Sequence, residues 1–310
     1  MTPPVEPGDR RAAGWLWVLV AIAIWASWFA VTAHGVRGTL ATADLVLIRV
    51  VVPTLLLAGA LWAARRRLAT LGVGDLLGLA LYGLPFIAFV AAGLAHAPVS
   101  HAVALVPGVM PVLAGLWAAF AEGVRHPPRR RLGFALMIAG AGSILALGPT
   151  GSALGHGFFL AASACLAVFT VTARRLALPP FVATGIVAGL SSLVLVPAYL
   201  ALPLGRIAAA PWSEIALQIL MQGLLAGLLA IYAYARAIRS LGVATAAAAV
   251  ALVPPTATLI GWAALGERPS VGEAIAVTVV AAGVLAAADV RLKAPGRAGT
   301  TRRDNGRSAV

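Results

Sequence analysis

The side chains of this 310-residue chain that could act on another molecule are few, and most lie inside long apolar runs. Arg49 is the one basic residue within such a run; the others fall between runs or in the tail. Gln218 and Gln222 are four residues apart and so share one face of a helix. Trp28, Tyr82, Phe86, Phe169, Tyr232, Thr256 and Thr258 combine an apolar body or site with a hydrogen-bonding or π-rich group. A guanidinium in this company can hold a carboxylate, and a primary amide can hold a carboxylate or an amine. No H-E-x-x-H, G-x-S-x-G or Walker A pattern occurs, so hydrolytic chemistry and ATP-driven pumping by this chain find no support. No cofactor and no metal site is expected. The histidines His34, His96, His101 and His156 have no ligand spacing and read as ordinary residues at the ends of apolar runs.

Prolines are placed as unusually as the polar groups. A-L-V-P occurs twice, at 104–107 and at 251–254, and Pro111 and Pro254-Pro255 interrupt the surrounding apolar runs. Proline removes an N–H and crowds the preceding turn, which a membrane tolerates where a neighbour or a cavity satisfies the freed carbonyl. These prolines are therefore expected to bend a related pair of helices around a cavity.

The runs that carry these residues determine the class. Hydrophobic residues make up 61% of the chain and charged residues 11%, with a mean hydropathy of +0.96. A soluble surface needs more charge than that. Apolar stretches of the length that crosses a bilayer recur throughout. Breaking the chain at charges and Gly/Pro clusters gives ten expected spans, near 14–34, 44–63, 74–95, 100–121, 132–149, 156–174, 181–202, 213–235, 244–265 and 272–290. The expectation is an all-α integral membrane protein. Residues 1–13 form a cytoplasmic N-terminal segment, 14–149 and 156–290 form two five-helix repeats, and 291–310 form a disordered basic cytoplasmic tail.

The net charge of +13 does not point to nucleic acid, because the arginines sit in short loops between apolar runs. With both termini placed in the cytoplasm, nineteen basic residues lie inside and three (Arg37, Arg206, Arg268) lie outside, as short cytoplasmic loops require. A shift of 143 residues lays Pro254 on Pro111, Gly283 on Gly140 and Tyr232 on Phe89, whereas A-L-V-P on A-L-V-P requires 147. Either register gives five spans per half. An odd number forces the halves to enter the membrane in opposite directions, the inverted arrangement common among carriers.

The set W-A-S-W at 25–28, L-I-R at 47–49 and P-x12-E-R from Pro254 to Glu267-Arg268 resembles the EamA-type members of the drug/metabolite transporter superfamily. So do G-x6-G (Gly133 to Gly140) and A-x6-G (Ala276 to Gly283). The resemblance implies a ten-helix bundle of two inverted repeats around a central cavity. It also implies export of a small metabolite or drug across a bacterial inner membrane. The first half departs from the pattern, because Glu122 follows Pro111 at a different spacing from Glu267 after Pro254.

The expected cavity residues are Trp28, Tyr82, Phe86, Pro111, Phe169, Gln218, Gln222, Tyr232, Pro254 and Thr256. Arg49 is a structural or substrate-charge contact, or else snorkels outward near Asp44. Asp44, Glu122, Glu214, Glu267 and Glu273 all fall close to span ends, so no mid-span carboxylate is available to exchange a proton for a cationic drug. A neutral or zwitterionic, amino-acid-like substrate fits better. A flippase for a lipid-linked molecule and, further off, a membrane-embedded enzyme remain as alternatives. Membrane lipid and a small molecule are the expected partners, a homodimer stays open, and no nucleic acid is involved.

Overall fold

In the computed structural model, which describes residues 7–147 and 152–288, every regular element among the described residues is helical. The cause is the apolar composition. Hydrocarbon offers no partner to backbone N–H and C=O groups, and a helix satisfies them within one segment. The helices are α1 (Pro7–Arg37), α2 (Thr42–Leu56, continued after Leu57 by Ala58–Ala63), α3 (Val73–His96) and α4 (Val99–Ala121). They continue with α5 (Pro128–Leu147), α6 (Ala153–Leu176) and α7 (Pro180–Ala201). The last are α8 (Trp212–Leu241), α9 (Val243–Leu265) and α10 (Val271–Ala287). The first helix starts at Pro7, ahead of the expected residue 14. Residues 148–149 of the expected fifth span and the whole tail 291–310 lie outside the described residues.

Seven of these helices are long and apolar enough to cross a membrane. The other three fall short for separate reasons. The second is broken at Leu57, the fifth devotes its first turn to Arg129–Arg131, and the tenth is 17 residues long.

Contacts at the helix ends fix the direction of each helix. At one end, Arg37 at the close of α1 donates from Nε to Leu94 O at 2.8 Å, and Ser152 N, just ahead of α6, donates to His96 O at 3.2 Å. The end of α1 and the start of α6 therefore meet at the end of α3. Asp44 at the start of α2 bonds Tyr199 at the end of α7. Val99 at the start of α4 donates to Glu267, just past α9, at 2.8 Å. At the opposite end, Asp75 in the first turn of α3 pairs with Arg175 in the last turn of α6. There too, a Cβ on Gly14 of α1 would meet Ser240 and Leu241 of α8.

Helix for helix, the first five run antiparallel to the second five. The packing obeys the same relation. α1 packs on α8 as α6 packs on α3, α1 on α9 as α6 on α4, and α2 on α8 as α7 on α3, while α2–α7, α4–α9 and α5–α10 pair with their own equivalents. We call the end that gathers Asp44, Glu214, Glu267 and Glu273 the carboxylate end, and the end that gathers the arginine clusters the arginine end.

The two small-residue motifs lie where α5 crosses α10. A Cβ on Gly133 would meet Gly283 O at 2.7 Å, and one on Gly140 would meet Ala276 O at the same distance. Under the 143-residue shift, Gly133 maps to Ala276 and Gly140 to Gly283, so the two contacts exchange. This crossing follows the 143 register. Small residues let backbones approach closely, which is how helices associate when the surrounding lipid is as apolar as they are. Substituting Gly133→Val should cost about 1–3 kcal/mol by overpacking and lower the thermal midpoint of the purified protein. Gly142→Ala, with no atom within 4 Å of its Cβ position, should not lower the midpoint, since alanine favours the helix over glycine.

Candidate functional site

The equivalent helices α3 and α8 both lose regular α-helical geometry inside the bundle. In α3 the break falls between Ala80 and Leu84. Pro85 has no N–H for the Leu81 carbonyl, and Phe86 N takes it at 3.1 Å. Leu84 N donates instead to Ser191 Oγ on α7 at 3.0 Å. Only glycine fits at position 83, because a Cβ there would lie 1.9 Å from that hydroxyl. In α8, residues Ile219–Leu229 widen into π-helical turns, a distortion often found at functional sites.

A polar knot lies between these two breaks. Gln222, wholly buried, accepts from Trp28 Nε1 at 2.5 Å and donates from Nε2 to Thr32 Oγ1 at 2.9 Å and Gln218 Oε1 at 3.2 Å. Gln218, equally buried, donates to Val31 O at 2.9 Å. Arg49 Nη1 donates to Gln222 O at 2.9 Å, and its guanidinium carbon lies 5.4 Å from the Trp28 ring centroid. Arg49 thus turns into the bundle and does not snorkel towards Asp44. The Asp44 carboxylate is held by Tyr199 and by the backbone N–H groups of Ala41 and Arg206.

From the knot an aromatic column runs towards the arginine end. Trp28 stacks on Phe86 at 6.1 Å, Phe86 meets Tyr82 at 4.8 Å, and Tyr82 stacks on Phe169 at 4.4 Å. The space beside Arg49 and Tyr82 is a cavity of about 30 Å³, room for a single water. The knot is closed on itself in this conformation, and its amides are occupied by protein partners.

Seven of the expected site residues are therefore joined: Trp28, Arg49, Tyr82, Phe86, Phe169, Gln218 and Gln222. Pro111 and Pro254 line a second cavity of about 260 Å³ towards the arginine end, with Arg130 and Tyr234. Pro254-Pro255 follow a 3₁₀ turn at Val250–Leu252 in which Val253 N takes the Val250 carbonyl that Pro254 cannot. Helix α4 runs on unbroken through Pro107 and Pro111, so the two helices do not respond to proline alike. Tyr232 stands apart, edge-on to Trp17 at 5.5 Å and 36% exposed. Thr256 is half-buried on α9.

One cluster was not anticipated. The sequence places His101, His156 and Glu273 at span ends like ordinary interfacial residues, yet their exposures are 0%, 7% and 3%. They are bonded in series, with His101 Nδ1 to His156 Nε2 at 2.8 Å and His101 Nε2 to Glu273 Oε1 at 2.7 Å. The only sequence sign was Ser270-x-x-Glu273, a capping box that starts α10. Glu267, expected close to a span end, pairs with Arg37 at 2.5 Å.

Replacing Trp28 by Phe removes the donor to a wholly buried carbonyl oxygen. Trp28→Phe should destabilise the protein by about 1–3 kcal/mol, read as a lower thermal midpoint. Tyr232→Phe should stay within about 0.5 kcal/mol of wild type.

With this geometry in view, comparison with known proteins is informative. No curated protein matches the chain. A solved crystal structure is similar in fold at a TM-score of 0.58 and 21% identity, over 89% of this chain and 96% of that one. The model of the EamA-like transporter family matches twice, at residues 12–146 and 153–288, which are the two antiparallel halves described above. The members of that family are transporters, not enzymes, and this multi-pass membrane protein belongs to the EamA-like transporter family.

Proposed function

We propose that the chain is a secondary carrier that exports a small, neutral or zwitterionic metabolite bearing a carboxylate across a bacterial inner membrane by alternating access. In this reading all ten helices cross the membrane. The arginine end and both termini face the cytoplasm, supported by the nineteen-to-three division of basic residues.

The observation that carries the reading is Arg49. Among the described residues it makes no ion pair, and its partners are the Gln222 backbone carbonyl, the Trp28 ring and the Tyr82 side chain. A cation inside a membrane protein is costly unless it serves a partner. A substrate carboxylate would supply that partner, while the amides of Gln218 and Gln222 and the Trp28 indole would hold the remaining polar groups. The aromatic column marks a route to the knot from the arginine end.

Polar ties between the two halves close both ends of the bundle. At the carboxylate end they are Arg37–Glu267, Thr39–Glu214, Asp44–Tyr199 and His101–Glu273. At the arginine end they are Asp75–Arg175 and Glu122–Arg174, whose arginines are 65% and 60% exposed. Exposed pairs of this kind contribute at most about 1 kcal/mol each. Alternating access consists of releasing one set while the other holds.

The reading is tested by comparing extracellular metabolites of cells producing the wild type, Gln222→Ala or Arg49→Gln, with matched membrane levels and an empty-vector control. The wild type should release a carboxylate-bearing compound. Arg49→Gln should reduce that release by about tenfold or more, the loss of one charge-assisted hydrogen bond, and Gln222→Ala should also reduce it. Wild-type release no greater than the vector's would overturn export.

A further inference from the structure

The carrier site leaves unused the buried series His156–His101–Glu273, which joins α4 of the first half to α6 and α10 of the second. Its hydrogen bonds constrain where protons can sit. An ionised Glu273 accepts from His101 Nε2–H. Neutral His101 must then accept at Nδ1, so His156 donates from Nε2. The series carries a net charge of −1 in this form. Adding one proton at His101 Nδ1 makes that ring a donor to both neighbours, with His156 now accepting at Nε2 and carrying its proton on Nδ1. Both bonds survive, and the net charge becomes zero. The series can therefore take up or release one proton with no heavy atom displaced.

The series reaches a cavity at its Glu273 end. Glu273 lines a cavity of about 400 Å³ at the carboxylate end together with Arg37, His96, Glu267 and Arg268. These are the charged or titratable groups that α1, α3 and the α9–α10 connection present there. Arg37 is engaged by Glu267 at 2.5 Å, which leaves Arg268 and His96 as the other ionisable groups of the wall. A carboxylate and two imidazoles buried with a net charge cost far more than the same groups buried neutral. The protonated form thus favours the packed arrangement, and loss of the proton favours opening to water. A ligand that binds one of two conformations better must shift their balance.

We propose that His101, His156 and Glu273 form a proton-binding site whose occupancy sets closure of the carboxylate end, so that the carrier responds to the proton concentration on that side. The link to transport rests on the carrier reading given above, whereas proton binding by the site does not. The proton comes from water and returns to it, and no other reactant takes part. A proton site near a membrane face, shared between the halves, is a different device from a carboxylate at mid-span.

Two measurements on the full chain test this separately. The first is histidine-selective ¹⁵N spectroscopy of the purified protein in nanodiscs across a pH series. The ring nitrogens of His101 and His156 should change together, and Glu273→Gln should abolish the paired change. That variant keeps a side-chain oxygen for the Ser270 N–H, which Glu273 now accepts at 2.7 Å, so the start of α10 stays capped. The second is efflux of the exported compound from oriented vesicles, with the pH varied only on the carboxylate side. The wild-type rate should vary by up to about tenfold per pH unit, the limit for one proton, and Glu273→Gln should flatten the profile. Unlinked histidine changes, or a wild-type pH profile that Glu273→Gln leaves intact, would overturn the proposal. Absence of any wild-type transport would overturn the carrier reading instead, with the spectra still deciding the proton site.

Discussion

Hydrocarbon supplies no hydrogen-bond partner to the backbone, and that constraint shapes the whole molecule. Where the chain departs from an α-helix inside the bundle, another group takes the freed donor or acceptor. At Pro85 it is the Phe86 N–H and the Ser191 hydroxyl; at Pro254 it is the Val253 N–H through a 3₁₀ turn. At the π-helical stretch of α8, the Gln222 carbonyl accepts from Arg49. Two of these irregular places, at Ser191 and at Arg49, tie neighbouring helices together through polar side chains in the interior.

The second organising feature is the antiparallel relation of the two halves. It makes the helix packing between the halves recur, as at the α5–α10 crossing, where two close approaches exchange under the repeat relation. It also separates two kinds of contact between the halves. Glycine and alanine backbones locked at α5–α10 form a fixed seam. The knot and the end ties instead rely on side-chain hydrogen bonds, which can be exchanged for others at small net cost. A close-packed seam at α5–α10 beside exchangeable ties at both ends is what the proposed alternating access would use.

The knot itself is a set of polar groups that the apolar interior obliges to satisfy one another. Two buried amides and an indole N–H satisfy one another, so no desolvated group is left bare. Arg49 is the exception in charge, though not in hydrogen bonding. The cluster at the carboxylate end follows a related principle with protons, since each arrangement of its hydrogen bonds accommodates one charge state.

Hydropathy, the spacing of arginines and the repeated A-L-V-P runs determined the class of the protein, its helical content and its division into two halves. Those signals are local or statistical, and solvent imposes them on each segment independently. The same local reading found Trp28, Arg49, Tyr82, Phe86, Phe169, Gln218 and Gln222 as interior polar or aromatic residues, because such groups are conspicuous in apolar runs. Only tertiary structure decided that they form one connected cluster, that Arg49 turns inward while Asp44 bonds elsewhere, and that Tyr232 stands apart. It alone brought together His101, His156 and Glu273. Position along a span places a residue near a membrane face, but its burial depends on helices 55 and 172 residues away in the chain. Helix-on-helix packing, which periodicity does not encode, sets that proximity.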